Sequence, residues 1–481
     1  MKKELLISFT GLSLVANCFS AKNDKPNIVL IYMDDLGYGD IAVTGAQGYQ
    51  TPNIDQLGHD GMVFTQFYSP CAVSSASRAG LLTGCYPNRI GIYGALQPKS
   101  KVGLNPKEEN IAKILKAAGY KTAMVGKWHL GDAPQFMPTK QGFDAYFGLP
   151  YSNDMWPYGD VVIRGENAPE VVKKNTPQLP LYDGEKVTRF IKTQADQDEL
   201  TTLYTERAVN FIKENKKSPF FLYLAHSMPH IPLGVSSKFR GKSELGIYGD
   251  VMMEIDWSIA EIVKALKEIG ATENTLIIFT SDNGPWLNYG DNAGSAGGLK
   301  EAKMTSFEGG QKVPCIMKWP AVIPDGKICN KLASAIDILP TLCNITESKL
   351  PVNKIDGVNI LPLLKGDFDV TPRQFLYYYY GDNDLRAVRD ARFKLVVPHG
   401  YRSYEGNLPG VDGKRGKVIQ QKTEMALYDL RRDQGERYDV QSIFPEAVMR
   451  LTKALEDMRQ DIGDSLTGSI GKNVRPAGKV E

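Results

Sequence analysis

Four apolar runs of strand length punctuate the chain, and each ends in polar or charged residues. Asn27–Met33 runs from Pro26 to Asp34-Asp35, and Lys121–Val125 leads into Gly126-Lys127-Trp128-His129. Ser218–Ala225 is followed by His226 and His230, and Thr275–Thr280 ends in Ser281-Asp282-Asn283-Gly284. An unbroken apolar run reads as a strand covered on both faces, the mark of a parallel sheet in an α/β fold. Open parallel sheets bind ligands outside the carboxyl ends of their strands. Chemistry is therefore to be sought where these runs stop. Helical periodicity appears between them. Glu109–Ala118 aligns Ile111, Ile114, Leu115 and Ala118 before Gly119, and Asp250–Ile269 aligns Val251, Ile255, Ile262 and Leu266 before Gly270. Val313–Trp319 reads as a further strand and Ser334–Leu342 as a short helix around Asp337. Residues 142–200 show neither period and read as irregular binding loops or surface excursions.

Near residue 370 the texture changes. Phe375–Tyr380, Leu385–Arg389 and Arg392–Val397 are short runs separated by turns, antiparallel in character. Pro445–Asp461 reads as a last helix with Val448, Leu451 and Leu455 inward and proline in its first turn. The basic tail after Gly471 reads as mobile. This suggests a large unit over residues 22–370 and a smaller α+β unit over 371–481.

Composition changes little. With 481 residues, 42% hydrophobic and 23% charged, the chain has room for two domains of ordinary globular make-up. A formal charge of +2 without a basic stripe gives no case for nucleic acid. Residues 1–21 read as a signal peptide: Lys2 and Lys3, an apolar stretch from Leu5 to Ala16, then small residues. That stretch is too short to span a membrane, so export to the periplasm is expected. Val15-Ala16-Asn17-Cys18 departs from a lipobox at Asn17, which leaves lipid attachment at Cys18 open. The other five cysteines are an odd number without zinc spacing and read as buried thiols, with a Cys329–Cys343 bridge as the alternative.

The strand ends carry the candidate chemistry. Asp34 and Asp35 repel one another unless a cation holds them. Asp282 and Asn283 complete an all-oxygen set, which favours calcium or magnesium over zinc. Plain turns are the competing reading of both stretches. In an extended segment Lys127 and His129 share one side, where a cation and an imidazole suit an anion and a proton transfer. Ser74-Ser75-Ala76-Ser77-Arg78 passes into Ala79-Gly80-Leu81-Leu82-Thr83-Gly84, which suits a nucleophile at a helix N-terminus. An ordinary helix capped by Ser74 or Ser77 would explain the same letters.

This last stretch resembles the sulfatase signature: Cys or Ser, any residue, Pro or Ala, Ser, Arg, then a spacer ending Thr-Gly. Matched this way, the residue that the family oxidises to formylglycine is Ser74, and Cys71 lies three residues too early. Four further stretches resemble the family in the right order. They are Asp34-Asp35-Leu36-Gly37, Gly126-Lys127-Trp128-His129-Leu130-Gly131, Ser281-Asp282-Asn283-Gly284, and the segment from Gly297 to Gly310. The last puts the sulfate-binding lysine at Lys303, with Lys300 as the competing register. The family's His-x-Pro falls on His230 and leaves His226 structural. Pro150-Tyr151-Ser152 resembles the arylsulfatase A and N-acetylgalactosamine-6-sulfatase branch and brings Ser152 to the sulfate. Asn153, Asp154 and Trp156 are candidate sugar contacts, or else a capped turn with a buried tryptophan. Leu427–Leu430 with Asp433-x-Gly-Glu436 resembles the closing strand and turn of the family's C-terminal domain.

The resemblance implies an alkaline-phosphatase-like α/β/α sandwich with a smaller C-terminal domain of antiparallel sheet and helix. It implies a sulfatase hydrolysing sulfate esters of carbohydrates, exo-acting on galactose- or N-acetylgalactosamine-type sugars of glycosaminoglycan or mucin glycans. Ser74, Arg78, Lys127, His129, His230 and Lys303 would be catalytic. Asp34, Asp35, Ser74, Asp282 and Asn283 would hold one Ca²⁺. Lys127, His230, Lys303, Ser152, Asn153 and Asp154 would contact substrate. Serine at position 74 implies a serine-type, anaerobic sulfatase-maturating enzyme as partner, unless it is an engineered Cys→Ser replacement. Two other readings stand beside this one. They are a phosphatase or phosphodiesterase using unmodified Ser74, and an inactive protein that binds sulfated glycans.

Overall fold

The computed structural model describes residues 25–158, 173 and 175–480; the signal-peptide segment and Cys18 lie outside them. A ten-stranded sheet forms the centre. Its middle five strands, Thr275–Ser281, Asn27–Met33, Phe220–Ala225, Lys121–Lys127 and Ala145–Leu149, lie side by side in that order and are all parallel. Antiparallel partners extend it at both edges, Cys315–Lys318 on one side and Leu179–Asp183 on the other.

The apolar runs became strands because both faces of this sheet are covered. Val29, Ile31 and Met33 pack into one core with the helices Leu200–Glu214 and Ile247–Glu268. Ile28, Leu30 and Tyr32 point the other way, toward Ser74–Thr83, Ile111–Ala117 and Ile338–Ile345. Alternation sends neighbouring side chains to opposite faces, so a strand with a core on each side has no polar face to show. The result is the α/β/α sandwich of the alkaline-phosphatase type.

The C-terminal part builds a four-stranded antiparallel sheet from Leu376–Tyr380, Asp384–Arg389, Phe393–Val396 and Ala426–Asp429. The helix Pro445–Asp461 packs Leu451, Leu455 and Met458 into the same core as Leu385 and Leu395. A hairpin of His399–Ser403 and Ile419–Thr423 stands apart from this sheet.

Several expectations need correction. The described residues between 142 and 200 include several regular elements. Ala145–Leu149, Leu179–Asp183 and Lys186–Ile191 join the central sheet, and Gln194–Asp198 is a short helix with a capping box at Thr193. Ala145–Leu149 is apolar but short and runs into Gly148-Leu149-Pro150, which reads as a loop, while Lys186–Ile191 is polar because the outermost strand is largely exposed. The tail after Gly471 is held, too. Gly478–Lys479 pairs with Val102–Gly103, and Arg475 binds Glu108 at 2.8 and 2.9 Å. The 334–342 helix is a 3₁₀ turn, Ala335–Asp337, followed by Ile338–Ile345. All five described cysteines are free and buried, Cys329 and Cys343 among them.

One close approach sets the active strands' spacing. Gly126 has φ 111°, and a Cβ there would lie 1.8 Å from the Ala225 carbonyl oxygen. Only glycine tolerates both the backbone angle and the contact. Gly126→Ala is expected to lower stability by about 3 kcal/mol, read as a drop in the urea midpoint at unchanged m-value.

Candidate active site

The five parallel strands end together, and each delivers polar residues to one place. Asn27–Met33 leads to Asp34 and Asp35, Thr275–Ser281 to Asp282 and Asn283, and Lys121–Lys127 ends on Lys127 itself. The loop after Phe220–Ala225 brings His230, and the turn after Ala145–Leu149 brings Ser152. Into this ring points the N-terminus of the fully buried helix Ser74–Thr83. Its N-cap is Val73, which has no capping side chain, so neither Ser74 nor Ser77 is spent as a cap. Ser77 instead meets the Tyr32 hydroxyl at 3.0 Å.

The Ser74 hydroxyl donates to Asp34 Oδ1 at 3.0 Å. Lys127 Nζ donates to Asp34 Oδ2 at 2.5 Å, to Ser152 Oγ at 3.1 Å and to Ser74 Oγ at 3.4 Å. Arg78 donates to Asp282 Oδ2 through Nε at 3.1 Å and Nη2 at 2.8 Å, and to the Lys127 carbonyl at 3.2 Å. Lys303 Nζ lies 2.7 Å from Asp35 Oδ1, and His230 Nε2 lies 3.5 Å from Asp35 Oδ2. Asn283 donates to Asp35 Oδ1 at 2.8 Å, and the Asp35 backbone N–H donates to Asp282 Oδ1 at 3.1 Å. All of these side chains are buried.

Three carboxylates thus face three basic side chains, Arg78, Lys127 and Lys303, with His230 beside them; burial lowers the Lys127 ammonium from its ordinary range against the pull of Asp34. Burial acts to raise the Asp34 carboxyl, but Lys127, His230, Arg78 and Lys303 together hold it well below the usual carboxylate range. Asp282 goes the other way: burial and then the Asp34 charge push it up to about 6 despite Arg78. Burial, then Lys127 and Arg78, holds the His129 imidazole well below its ordinary range, so this side chain is neutral.

His129 differs from the expectation. The strand stops at Lys127 and His129 has φ 61°, so the two residues are not alternate positions of one extended segment. Its Nε2 lies 3.0 Å from the Leu96 carbonyl, and its Nδ1 is buried without a hydrogen-bond partner. A neutral ring bonded this way carries its proton on Nε2 and its lone pair on Nδ1.

Of the two competing lysines, Lys303 is in the site. Lys300 lies over the Phe307 ring and reaches the Glu436 carbonyl at 3.4 Å. His226 is buried away from the carboxylates against Ser258 at 3.1 Å, and burial lowers it to about 3. Asn153 is fully buried, and its amide donates to the Pro232 carbonyl at 3.2 Å and the His230 carbonyl at 3.5 Å. It therefore braces the His230 loop, where the sequence suggested a sugar contact. Trp156 is likewise buried, packed edge-on against Tyr158 at 5.1 Å. Asp154 is half-buried and lines a cavity of about 450 Å³ with Gln97, Lys173 and Arg415.

Sequence reading missed a set of residues around Lys303. Glu301 accepts from the Ser403 hydroxyl at 2.6 Å and the Tyr404 N–H at 2.8 Å, and the Tyr404 hydroxyl donates to the Lys303 carbonyl at 2.8 Å. These partners are about a hundred positions away and carry no local signal.

The donor set suits a hard cation. Asp34, Asp35 and His230 have ligand atoms within 4.8 Å of one another. Asn283 Oδ1 is buried without a partner, an acceptor still to be satisfied.

The sulfatase family model matches residues 26–348, and a second model, the C-terminal part of N-sulphoglucosamine sulphohydrolase, matches residues 301–461. The chain belongs to the sulfatase family. N-acetylgalactosamine-6-sulfatase of Mus musculus is 36% identical over 96% of this chain and 90% of its own length. Human arylsulfatase A is 35% identical over 93% of this chain and 89% of its own. The crystal structure of PsFucS1 sulfatase from Pseudoalteromonas sp. superposes with a TM-score of 0.81 at 30% identity, covering 91% of this chain and 90% of that one. This sulfatase is accordingly a sulfuric ester hydrolase.

Arg78 tests how the sulfatase site is held together. Arg78→Ala leaves Asp282 and Asp34 without their buried guanidinium and is expected to cost about 3–5 kcal/mol, measured by urea unfolding at neutral pH.

Proposed function

We propose that this sulfatase removes sulfate from galactose- or N-acetylgalactosamine-type sugars at the ends of glycosaminoglycan or mucin glycans. It does so with formylglycine made from Ser74 and a single Ca²⁺. On this reading the protein is exported to the periplasm, and a serine-type maturating enzyme oxidises Ser74. The observation that carries it is Ser74 at a helix N-terminus, hydrogen-bonded to Asp34 and within 3.4 Å of Lys127 Nζ. The sugar class rests on the similarity to N-acetylgalactosamine-6-sulfatase along nearly the whole chain.

Asp34, Asp35, Asp282 and Asn283 would hold the calcium, with residue 74 as a further oxygen ligand. When bound, the ion supplies positive charge to a sulfate oxygen. Formylglycine supplies a hydrated aldehyde, so that the group which attacks sulfur can afterwards expel sulfate, where a serine would stay esterified. The rest follows from the chain's own side chains. Without the ion the three carboxylates stand against three basic side chains, so a dication makes the pocket net positive and attractive to the anionic sulfate ester.

Lys127 and Arg78 stabilise negative charge on the residue 74 oxygen. Lys127, His230 and Lys303 surround the sulfate and take up charge on its equatorial oxygens, with Ser152 placed by Lys127. His230 donates from Nδ1 to the Ile231 carbonyl at 2.6 Å, which leaves Nε2 as the atom that would serve the leaving oxygen. Lys303 assists from beside Asp35. His129, whose buried Nδ1 has no hydrogen-bond partner, would be the acceptor for a proton of residue 74.

Co-expression with a serine-type maturating enzyme tests the proposal. The peptide containing residue 74 should be lighter by two hydrogens, and the protein should release sulfate from N-acetylgalactosamine 6-sulfate. Ser74→Ala should lower that rate by about 10³-fold or more. Unmodified serine with hydrolysis of phosphate esters would move the assignment to the phosphatase reading. Unmodified serine with sugar binding and no turnover would leave the glycan-binding one.

A further inference from the structure

Trp286 has no part in the chemistry above, yet it touches two of its actors. It follows the Asp282-Asn283-Gly284-Pro285 turn and is 9% exposed. Its ring centroid lies 4.4 Å from Lys303 Nζ and 5.5 Å from the centre of the His230 ring. Those are the two groups assigned to the leaving oxygen. Tyr289 packs edge-on against the indole at 4.9 Å, and the Arg415 guanidinium lies 5.3 Å from its centre. Arg415 also donates to the Tyr289 hydroxyl at 2.5 Å. The indole is thus fixed both by its own turn and by the loop of the C-terminal hairpin.

The indole N–H is buried and meets no acceptor among the described residues. An unpaired buried donor costs free energy that phenylalanine or leucine would avoid. The value of a ring at this position therefore lies in its face. An aromatic face attracts an ammonium group, and lysine's flexible stem gives that group no fixed place of its own. Asp35 pulls Lys303 from one direction at 2.7 Å, and the indole supplies a second attraction that fixes where along its arc the ammonium rests.

We propose that Trp286 is a positioning residue that holds Lys303 and His230 against the leaving-group oxygen, through a cation–π contact to the first and ring packing to the second. The inference rests on the reading that these two residues serve that oxygen. Its consequence is selective. Help for the leaving group matters for a sugar alkoxide and hardly at all for an activated phenolate, whereas general damage to packing would slow both.

The matured protein and its W286L, W286F and K303A variants are to be assayed on N-acetylgalactosamine 6-sulfate and on 4-nitrophenyl sulfate. W286L should lower kcat on the sugar sulfate by about ten-fold with KM changed less than about three-fold, and should lose much less on the nitrophenyl ester. W286F, which keeps an aromatic face, should recover most of the sugar-sulfate rate. Equal losses on both substrates, or W286F as impaired as W286L, would overturn the positioning role. K303A keeps the two possible failures apart. Wild-type turnover of the sugar sulfate by K303A would refute the role given to Lys303, and the parent reading with it. An inactive K303A beside a fully active W286L would refute the role of Trp286 alone.

Discussion

Everything in this molecule depends on one buried balance of charge. Asp34, Asp35 and Asp282 sit in the interior opposite Arg78, Lys127 and Lys303. Isolated charges at such depth would cost far more than the fold's whole margin of stability, so the six must arrive together. The parallel sheet makes that possible. Its central strands release their chains at the same edge, and side chains remote in sequence meet there without long loops. The Ser74–Thr83 helix adds its N-terminus to the same point, placing Arg78 one turn below Ser74 to reach Asp282. A site assembled in this way is rigid because each carboxylate is held by more than one donor.

The C-terminal part is built into this arrangement. Its hairpin holds the segment around Lys303: Ser403 and Tyr404 bind Glu301, and the Tyr404 hydroxyl binds the Lys303 carbonyl. Glu308, just after that segment, accepts from the Tyr378 hydroxyl at 2.7 Å and pairs with Lys394 at 3.2 Å, both on the antiparallel sheet. The Lys303 ammonium is therefore positioned from below by a second layer of structure.

Much of this was legible in the sequence, for a physical reason. A strand covered on both faces must be apolar throughout, so the four central runs announced themselves, and Pro445–Asp461 appeared within its expected limits because its inward face has helical period. The charged residues at the strand ends stood out against those runs. What stayed hidden had no local cause. Leu179–Asp183 and Lys186–Ile191 carry mixed polarity at the sheet's outer edge, and the tail is held by Arg475 to Glu108, far back in the chain. Asn153 reads as a sugar contact or part of a capped turn and is a buried brace, because its partners come from the His230 loop. His129 turns out of the strand through a left-handed backbone angle that no pattern of letters displays.

The central claim is that three carboxylates set against three basic side chains make a pocket that a dication converts into a sulfate site. Calorimetric titration of inorganic sulfate into the protein, first freed of divalent ions and then loaded with calcium, addresses it directly. The account predicts sulfate binding at least about ten-fold tighter with calcium, and calcium binding tightened by sulfate to the same degree. Equal sulfate affinity in the two states would contradict it.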